Sequence, residues 1–150
     1  MRLRLRVTTQ SSKQASSSWE NSRVPGQHRL PTLIAANPLS GLGRHALRSY
    51  WEDIITRYWC RPATAAEVDA AMQEFPSDDL VLPNGLLIVA LTEREPVGCG
   101  GVRLLPDGIA ELTRVYVAAD ERRRGLGARI VEHLERQAFD HGRTTSSGAQ

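Results

Sequence analysis

A six-residue segment between a predicted strand and a predicted helix has the residue types and spacing of a phosphate site. Three arginines are followed by Gly-Leu-Gly over residues 122–127. A helix that begins in such a turn has outward-facing backbone N–H groups without intrahelical partners, and the positive end of the helix dipole lies behind them. Glycine lacks the Cβ atom that would keep a bulky anion away from this backbone. The segment therefore predicts an anion hole, and a pyrophosphate is the expected ligand.

The spacing of the glycines excludes two common phosphate motifs. The dinucleotide fingerprint G-x-G-x-x-G fails because Ile130 occupies the third glycine position, and no Gly-Lys-Ser/Thr follows as a P-loop requires. The pattern that fits is R-x-x-G-x-G/A, with Arg122, Gly125 and Gly127 at its defined positions. The alternative is a solvated basic helix N-terminus, where arginines are unfavourable unless an anion compensates for them.

The residues upstream of the turn make the pattern more specific. Residues 111–121 read Glu-Leu-Thr-Arg-Val-Tyr-Val-Ala-Ala-Asp-Glu. Together with the turn, this run resembles the acetyl-CoA-binding motif of the GNAT N-acetyltransferase family. The resemblance covers roughly residues 30–142.

The hydrophobic pattern predicts the elements that position this turn. Apolar residues at i, i+3 and i+4 spacing predict a helix over 42–59, and Thr64 with Glu67 forms a capping box for a second helix that ends near Phe75. Strands are predicted at 32–36, 86–91, 97–105 and 109–118, with a hairpin turn at 106–108. A last helix, with Leu126, Ile130, Leu134 and Ala138 on one face, is expected to end at Gly142.

This order of elements predicts a mixed α+β fold, in which helices flank a mostly antiparallel central sheet. The resemblance implies one domain over residues 30–142 that is incomplete at its C-terminus. Family members continue with a strand, a helix whose tyrosine protonates the leaving thiolate, and a hairpin. The tail 143–150 supplies none of these and is expected to be irregular. Residues 1–29, rich in Ser, Gln and Arg, are expected to be a disordered basic extension, although Met1–Arg6 alternates like a short strand.

Composition narrows the classes of function. The chain has 150 residues and a net charge of +2, but residues 1–30 carry six basic side chains against Glu20, which leaves the remainder at −3. A nucleic-acid binder would have a basic domain instead, so no nucleic-acid partner is expected. No apolar run reaches the ~20 residues of a membrane helix. Cys60 and Cys99 have no pairing pattern, the four histidines lack metal-ligand spacing, and a cytoplasmic protein without a metal is expected.

The resemblance assigns the cofactor-binding residues. The strand before the turn is expected to bind the pantetheine arm of acetyl-CoA through the backbone of Val115, Tyr116 and Val117. Backbone N–H groups at 123–128 would hold the pyrophosphate, and Arg122 would add charge. The remaining residues of this turn are Arg123, Arg124, Gly125, Leu126, Gly127 and Ala128.

Glu111 is the candidate catalytic residue. It stands eleven residues before Arg122, and in some family members a general-base glutamate lies at that spacing. It would accept the proton of the acceptor's ammonium group, directly or through water. The alternative is a structural glutamate paired with Arg103 or Arg114 across the hairpin. Likewise, glycines 98, 100 and 101 resemble the family's small-residue strand or reflect simple close packing.

The resemblance thus implies an N-acetyltransferase that moves an acetyl group from acetyl-CoA to a primary amine of a small molecule or protein. The alternatives are a truncated CoA-binding remnant with weak catalysis and an interaction module whose arginines contact nucleic acid. The expected partners are acetyl-CoA and an amine acceptor, without a membrane, and a homodimer is compatible with the sequence.

Overall fold

The computed structural model describes residues 30–93, 95–142 and 144–145. The extension predicted at 1–29 lies outside the described residues, as do Arg94, Arg143 and residues 146–150. In chain order the elements are β1 (Thr32–Ala35), α1 (Gly41–Trp59), α2 (Ala65–Glu74), β2 (Gly85–Thr92), β3 (Glu95–Leu104), β4 (Ile109–Val117), α3 (Leu126–Asp140) and β5 (Thr144–Thr145).

The strands form one sheet in the order β1-β2-β3-β4-β5. The first four strands are antiparallel neighbours, whereas β5 runs parallel to β4. The helices α1 and α2 cover one face of the sheet, and α3 covers the other. The predicted α+β class is therefore confirmed, and each face of the sheet has its own apolar core.

The helix α1 is capped by Ser40, whose Oγ accepts a hydrogen bond from the Gly43 N–H at 3.0 Å. Its buried face carries Ala46, Leu47, Tyr50 and Trp51, as the sequence period predicts. This face packs on Leu87, Val89 and Cys99 of the sheet. The contact fixes α1 over the two central strands β2 and β3.

The predicted capping box of α2 is present. Thr64 Oγ1 accepts from the Glu67 N–H at 3.1 Å, and Glu67 Oε1 accepts from the Thr64 N–H at 2.9 Å. Arg61 then donates two hydrogen bonds to the Glu67 carboxylate, at 3.0 and 2.6 Å. The box and the arginine together fix the short connection between α1 and α2.

The helix α3 buries the four predicted residues of its apolar face, Leu126, Ile130, Leu134 and Ala138. It lies close to the glycines of β3. A Cβ atom on Gly100 would lie 2.6 Å from Ile130 Cγ2, and one on Gly101 would lie 2.8 Å from Leu80 Cδ1 on the opposite face. Close packing therefore explains these glycines, which was one of the two interpretations of the sequence.

Two boundaries differ from the sequence prediction. The turn expected at 93–96 is shorter, because β3 already begins at Glu95. The tail expected to be irregular contains Thr144–Thr145, which pair with Ile109 and Ala110 of β4 because α3 returns the chain to that sheet edge. Among the described helices, none has the length and apolar character needed to span a bilayer.

Candidate functional site

The strand β4 has one unpaired edge over most of its length. On one side it pairs with β3, but on the other side β5 reaches only Ile109 and Ala110. Within the described part of the chain, no strand pairs with that side of residues 111–117. Backbone N–H and C=O groups at such an edge can bind an extended ligand. Val115, Tyr116 and Val117, the predicted pantetheine-binding residues, lie in this segment.

A β-bulge interrupts β4 at the middle of this segment. Cys99 is paired with Tyr116, and Gly101 with Thr113, so that two residues of β4, Arg114 and Val115, oppose Gly100 alone. Arg114 has φ +57°, a conformation that costs free energy for a residue with a Cβ atom. The bulge therefore bends the unpaired edge at the position where the predicted ligand segment begins.

The Arg114 side chain is buried and anchors the bulge. Its Nε donates to Ser77 Oγ at 3.0 Å, and its Nη2 donates to the Phe75 carbonyl at 3.2 Å. The guanidinium lies over the rings of Trp51 and Tyr50, with centroid distances of 5.0 and 5.8 Å. Burial lowers the pKa of Arg114, and the nearby Tyr50 partly offsets this effect.

The Arg114 network was not predicted as part of a site. No carboxylate of the described residues lies within ion-pair distance of its guanidinium. The cation is instead stabilised by neutral acceptors and aromatic faces. One sequence signal was available, namely an arginine within the mostly apolar run from Leu112 to Val117. Its partners at 50–51 and 75–77 are distant in sequence and could not be inferred locally.

The turn after β4 presents the open helix end that the sequence predicts. Gly125 is the N-cap of α3 with φ +80°, and no side chain caps the helix. The Arg129 N–H donates to the Gly125 carbonyl at 3.1 Å, so the first-turn N–H groups of residues 126–128 precede the intrahelical hydrogen bonds. A Cβ atom on Gly125 would meet nothing within 4 Å, and one on Gly127 only Val117 Cγ2 at 3.5 Å. The space in front of this helix end is open.

Arg122 ties the turn to the rest of the fold. Its Nε donates to the Val117 carbonyl at 2.9 Å, and its Nη2 donates to Asp53 Oδ1 at 3.1 Å. The other Asp53 oxygen pairs with Arg57 at 3.2 Å. The positive charge of Arg122, expected to serve the pyrophosphate, is therefore shared with an α1 carboxylate. Arg123 and Arg124 follow as exposed residues of the same turn.

Tyr116 packs toward α1 as an aromatic core residue. It is half-buried against the α1 side of the sheet, and burial raises the pKa of its hydroxyl. The negative charge of Asp53 raises this pKa further, whereas the positive charge of Arg122 lowers it. Because its side chain packs toward this core, it is the backbone of Tyr116 that lies at the strand edge.

Glu111 lies on β4 directly opposite Arg103 of β3. Its Oε1 is 3.8 Å from Arg103 Nη1, while Arg103 Nε makes a shorter contact of 2.7 Å to Asp79 Oδ2. The Glu111 side chain is 28% exposed. The predicted cross-strand contact is therefore with Arg103, not with Arg114. Asp79 binds Arg103 more closely, which leaves the Glu111 carboxylate only loosely paired.

Among the described residues, no group of histidine, cysteine, aspartate or glutamate side chains is placed to hold a metal ion. The two clusters of the site, the turn at 122–128 and the bulge at Arg114, are instead joined by the unpaired edge of β4. An open strand edge that leads into an uncapped helix N-terminus suits a long ligand with a phosphate at one end. The protein is thus an α+β domain in which an unpaired strand edge and an uncapped helix N-terminus lie next to each other.

The chain belongs to the acetyltransferase (GNAT) family, whose family model matches residues 45–147. The description of this family names acetyl transfer as the chemistry of its members. No curated protein is significantly similar to the chain.

Several solved structures share the fold. A candidate acyl-CoA N-acyltransferase from Klebsiella pneumoniae is 21% identical with a TM-score of 0.52, over 73% of this chain and 64% of that chain. A GNAT-family acetyltransferase from Staphylococcus aureus is 14% identical with a TM-score of 0.57, over 73% and 67%. An aminoglycoside 6'-N-acetyltransferase complexed with coenzyme A is 16% identical with a TM-score of 0.51, over 74% and 57%. The chain therefore spans less than two thirds of two of these three structures.

Proposed function

We propose that the protein binds acetyl-CoA and transfers its acetyl group to a primary amine of a small molecule or protein. The observation that carries this proposal is the uncapped N-terminus of α3, at Gly125, close to the end of the unpaired edge of β4; a Cβ atom on Gly127 would lie 3.5 Å from Val117 Cγ2. Because the two features are contiguous, one extended ligand can contact both. The GNAT family match supports the choice of an acyl-CoA.

The turn suits the pyrophosphate of the cofactor. The first-turn N–H groups of α3 have no side-chain cap, and no acidic residue stands in that turn to compete with an anion. Positive φ angles at Arg123 (+75°) and Gly125 (+80°) curve the backbone of the turn. Such curvature gathers N–H groups into a concave anion site. Arg122 would then act mainly by holding the turn against Asp53.

The unpaired edge of β4 suits the pantetheine arm. That arm contains amide groups, which can pair with backbone N–H and C=O groups as a neighbouring strand would. Residues 115–117 lie between the bulge and the turn, so an arm bound there would extend from the pyrophosphate site toward Arg114. The complex of one structural neighbour with coenzyme A is consistent with this choice of ligand.

The chemistry requires a proton acceptor near the far end of the arm. Acetyl-CoA supplies a thioester, whose carbonyl carbon bonds to the amine nitrogen while the C–S bond breaks and its electron pair leaves with sulfur. The acceptor's ammonium group must lose a proton before attack. Glu111, three residues before Arg114 of the bulge, is the proposed base. Its contact with Arg103, at 3.8 Å, is longer than the 2.7 Å contact between Arg103 and Asp79.

The test is a calorimetric titration of the full chain with CoA and acetyl-CoA, followed by a panel of primary amines. We expect binding by both ligands and release of free CoA with at least one amine. Released CoA is best measured by chromatography, because the exposed thiol of Cys60 would react with a thiol reagent. Absence of any binding would refute the proposal, whereas binding without turnover would indicate a CoA-binding protein that is not an enzyme.

A further inference from the structure

A cavity of about 690 Å³ lies between α1, α2 and the loop that follows α2, on the side of the sheet away from α3. Its volume falls within the roughly 300–1,000 Å³ typical of small-molecule sites. None of the residues of the predicted cofactor turn lines it. The cavity is therefore a second concave site, separate from the turn at 122–128.

The walls of this cavity are largely apolar. Leu47 of α1, Met72 of α2 and Phe75 of the following loop line it. Phe75 stacks on the buried Trp51 ring with a centroid distance of 5.4 Å and an interplanar angle of 21°, which holds this wall in place. The walls therefore suit a ligand with an apolar side chain.

Four charged residues line the same cavity, and two of them compensate each other. Arg48 of α1 and Asp69 of α2 form an ion pair at 2.5 Å. The side chains of the other two, Arg44 and Asp78, have no hydrogen bond or ion pair with the described part of the chain. The cavity thus offers one free cation and one free anion beside an apolar wall, within the region that the structure describes.

The position of Asp78 sets the direction of a ligand. Its neighbour Ser77 accepts the hydrogen bond from Arg114 Nε, and Arg114 belongs to the β4 bulge. The loop end of the cavity is therefore attached to the bulge, where the arm of the cofactor would end. Arg44 lies on the first turns of α1 instead. A ligand whose ammonium group is bound by Asp78 would thus have that group at its end nearer the bulge.

We propose that this cavity binds the acyl acceptor, and that the acceptor is an amino acid or short peptide with an apolar side chain. Asp78 would bind its ammonium group and Arg44 its carboxylate. This inference rests on the proposed function and names the substrate class. In the transfer, the amine first gives up one proton to a base. Its nitrogen then bonds to the thioester carbonyl carbon as the C–S bond breaks, sulfur takes up one proton, and nitrogen releases its second proton.

The experiment compares ligands that differ only at the carboxylate. Leucine and leucyl-leucine are titrated into the full chain against leucinamide and leucyl-leucinamide, with backbone amide signals followed by NMR. We expect the acids to bind about tenfold or more tightly than the amides, the worth of one charge-assisted contact. Signals of residues 44, 77 and 78 should move, while those of 125–128 should respond to CoA alone.

Matched variants then assign the two charges. Arg44→Gln should remove the preference for acid over amide, and Asp78→Asn should weaken all four ligands about equally. Arg136→Gln, on the exposed face of α3, and Glu74→Gln, at the exposed end of α2, are controls that should leave every affinity unchanged.

Two results would overturn the proposal: equal binding of acids and amides by the parent chain, or an acid preference that survives Arg44→Gln. Both results come from binding measurements made without acetyl-CoA. They are therefore distinct from a failure of CoA to bind at 122–128, which would contradict the proposed function instead. Far-UV circular dichroism checks that each variant is folded. If Arg44→Gln is not folded, the test uses Arg44→Lys, which keeps the positive charge and should retain the preference for acids over amides.

Discussion

Arg122 and Asp53, 69 residues apart in the chain, form an ion pair at 3.1 Å that joins the turn at 122–128 to the middle of α1. The same guanidinium donates a hydrogen bond to the carbonyl of Val117, which is the last residue of β4. One side chain therefore fixes the end of the strand, the start of the turn and the neighbouring helix. The motif arginine is a structural clamp of the turn in this protein.

Arg122→Lys should lower the stability of the fold. A lysine presents a single ammonium and cannot reach both the Val117 carbonyl and Asp53 with the geometry of a guanidinium. We expect a loss of about 1 kcal/mol in the free energy of unfolding, the typical net worth of one hydrogen bond, measured by urea denaturation. Arg123→Lys, in the same turn but exposed, is the control and should have no effect. Equal urea midpoints for parent and Arg122→Lys would show that the clamp is unimportant.

Ala128→Glu should weaken CoA binding without lowering the stability of the fold. Ala128 is an exposed residue in the first turn of α3, where a carboxylate interacts favourably with the helix dipole. The variant should therefore be as stable as the parent or slightly more stable. The same carboxylate would repel a pyrophosphate, so CoA affinity should fall by about tenfold or more by calorimetry. Gln137→Glu, in the last turn of α3, is the control and should leave CoA affinity unchanged. If Ala128→Glu also left CoA affinity unchanged, the phosphate would not be bound at this turn.

The local features of this fold were predictable from sequence, and the long-range ones were not. The capping box of Thr64 and Glu67 and the buried face of α3 depend on residues three or four positions apart, so a pattern reveals them. Arg114 depends on Ser77 and on the rings at 50 and 51, which only the folded chain brings together. The cavity beside Asp78 was missed for the same reason, because three separate segments build it.

Glu111→Gln should slow acetyl transfer while leaving CoA affinity unchanged. If Glu111 accepts the proton of the acceptor, its loss should reduce kcat/KM by roughly 10²–10⁴-fold, the usual contribution of a general base. Steady-state kinetics with an accepted amine would measure this. The carboxylate also contacts Arg103 at 3.8 Å, so Arg103→Gln is the matched variant for a structural effect. A similar rate loss in both variants would make Glu111 a structural partner of Arg103 and not a base.

The two cysteines should react very differently with a thiol reagent. Cys60 is exposed at the end of α1, whereas burial raises the pKa of the Cys99 thiol to about 12. The thiolate is the reactive form, so Cys99 stays protonated and shielded at pH 8. One thiol per chain should react with Ellman's reagent in the native protein, and two in guanidinium chloride. Cys60→Ser should show none until it is unfolded, and a fast native reaction of that variant would place Cys99 at the surface.

The acid stability of the α1–α2 connection should depend on Glu67. Hydrogen bonds from Arg61, and then from the Thr64 backbone, lower the pKa of its carboxyl to about 2 from its ordinary value of 4.5. Because the folded-state pKa is depressed, this interaction stabilises the fold above pH 4.5 and is lost as the pH falls from 4.5 toward 2. Glu67→Gln should be less stable than the parent at pH 7, and the difference should shrink steadily as urea denaturation is repeated down to pH 2. Glu74→Gln, at the end of the same helix but without a capping role, serves as the control. A difference between parent and Glu67→Gln that stays constant across this range would mean that the charge of Glu67 contributes nothing. The box would then act through its uncharged hydrogen bonds, such as the one that Thr64 Oγ1 accepts from the backbone N–H of residue 67.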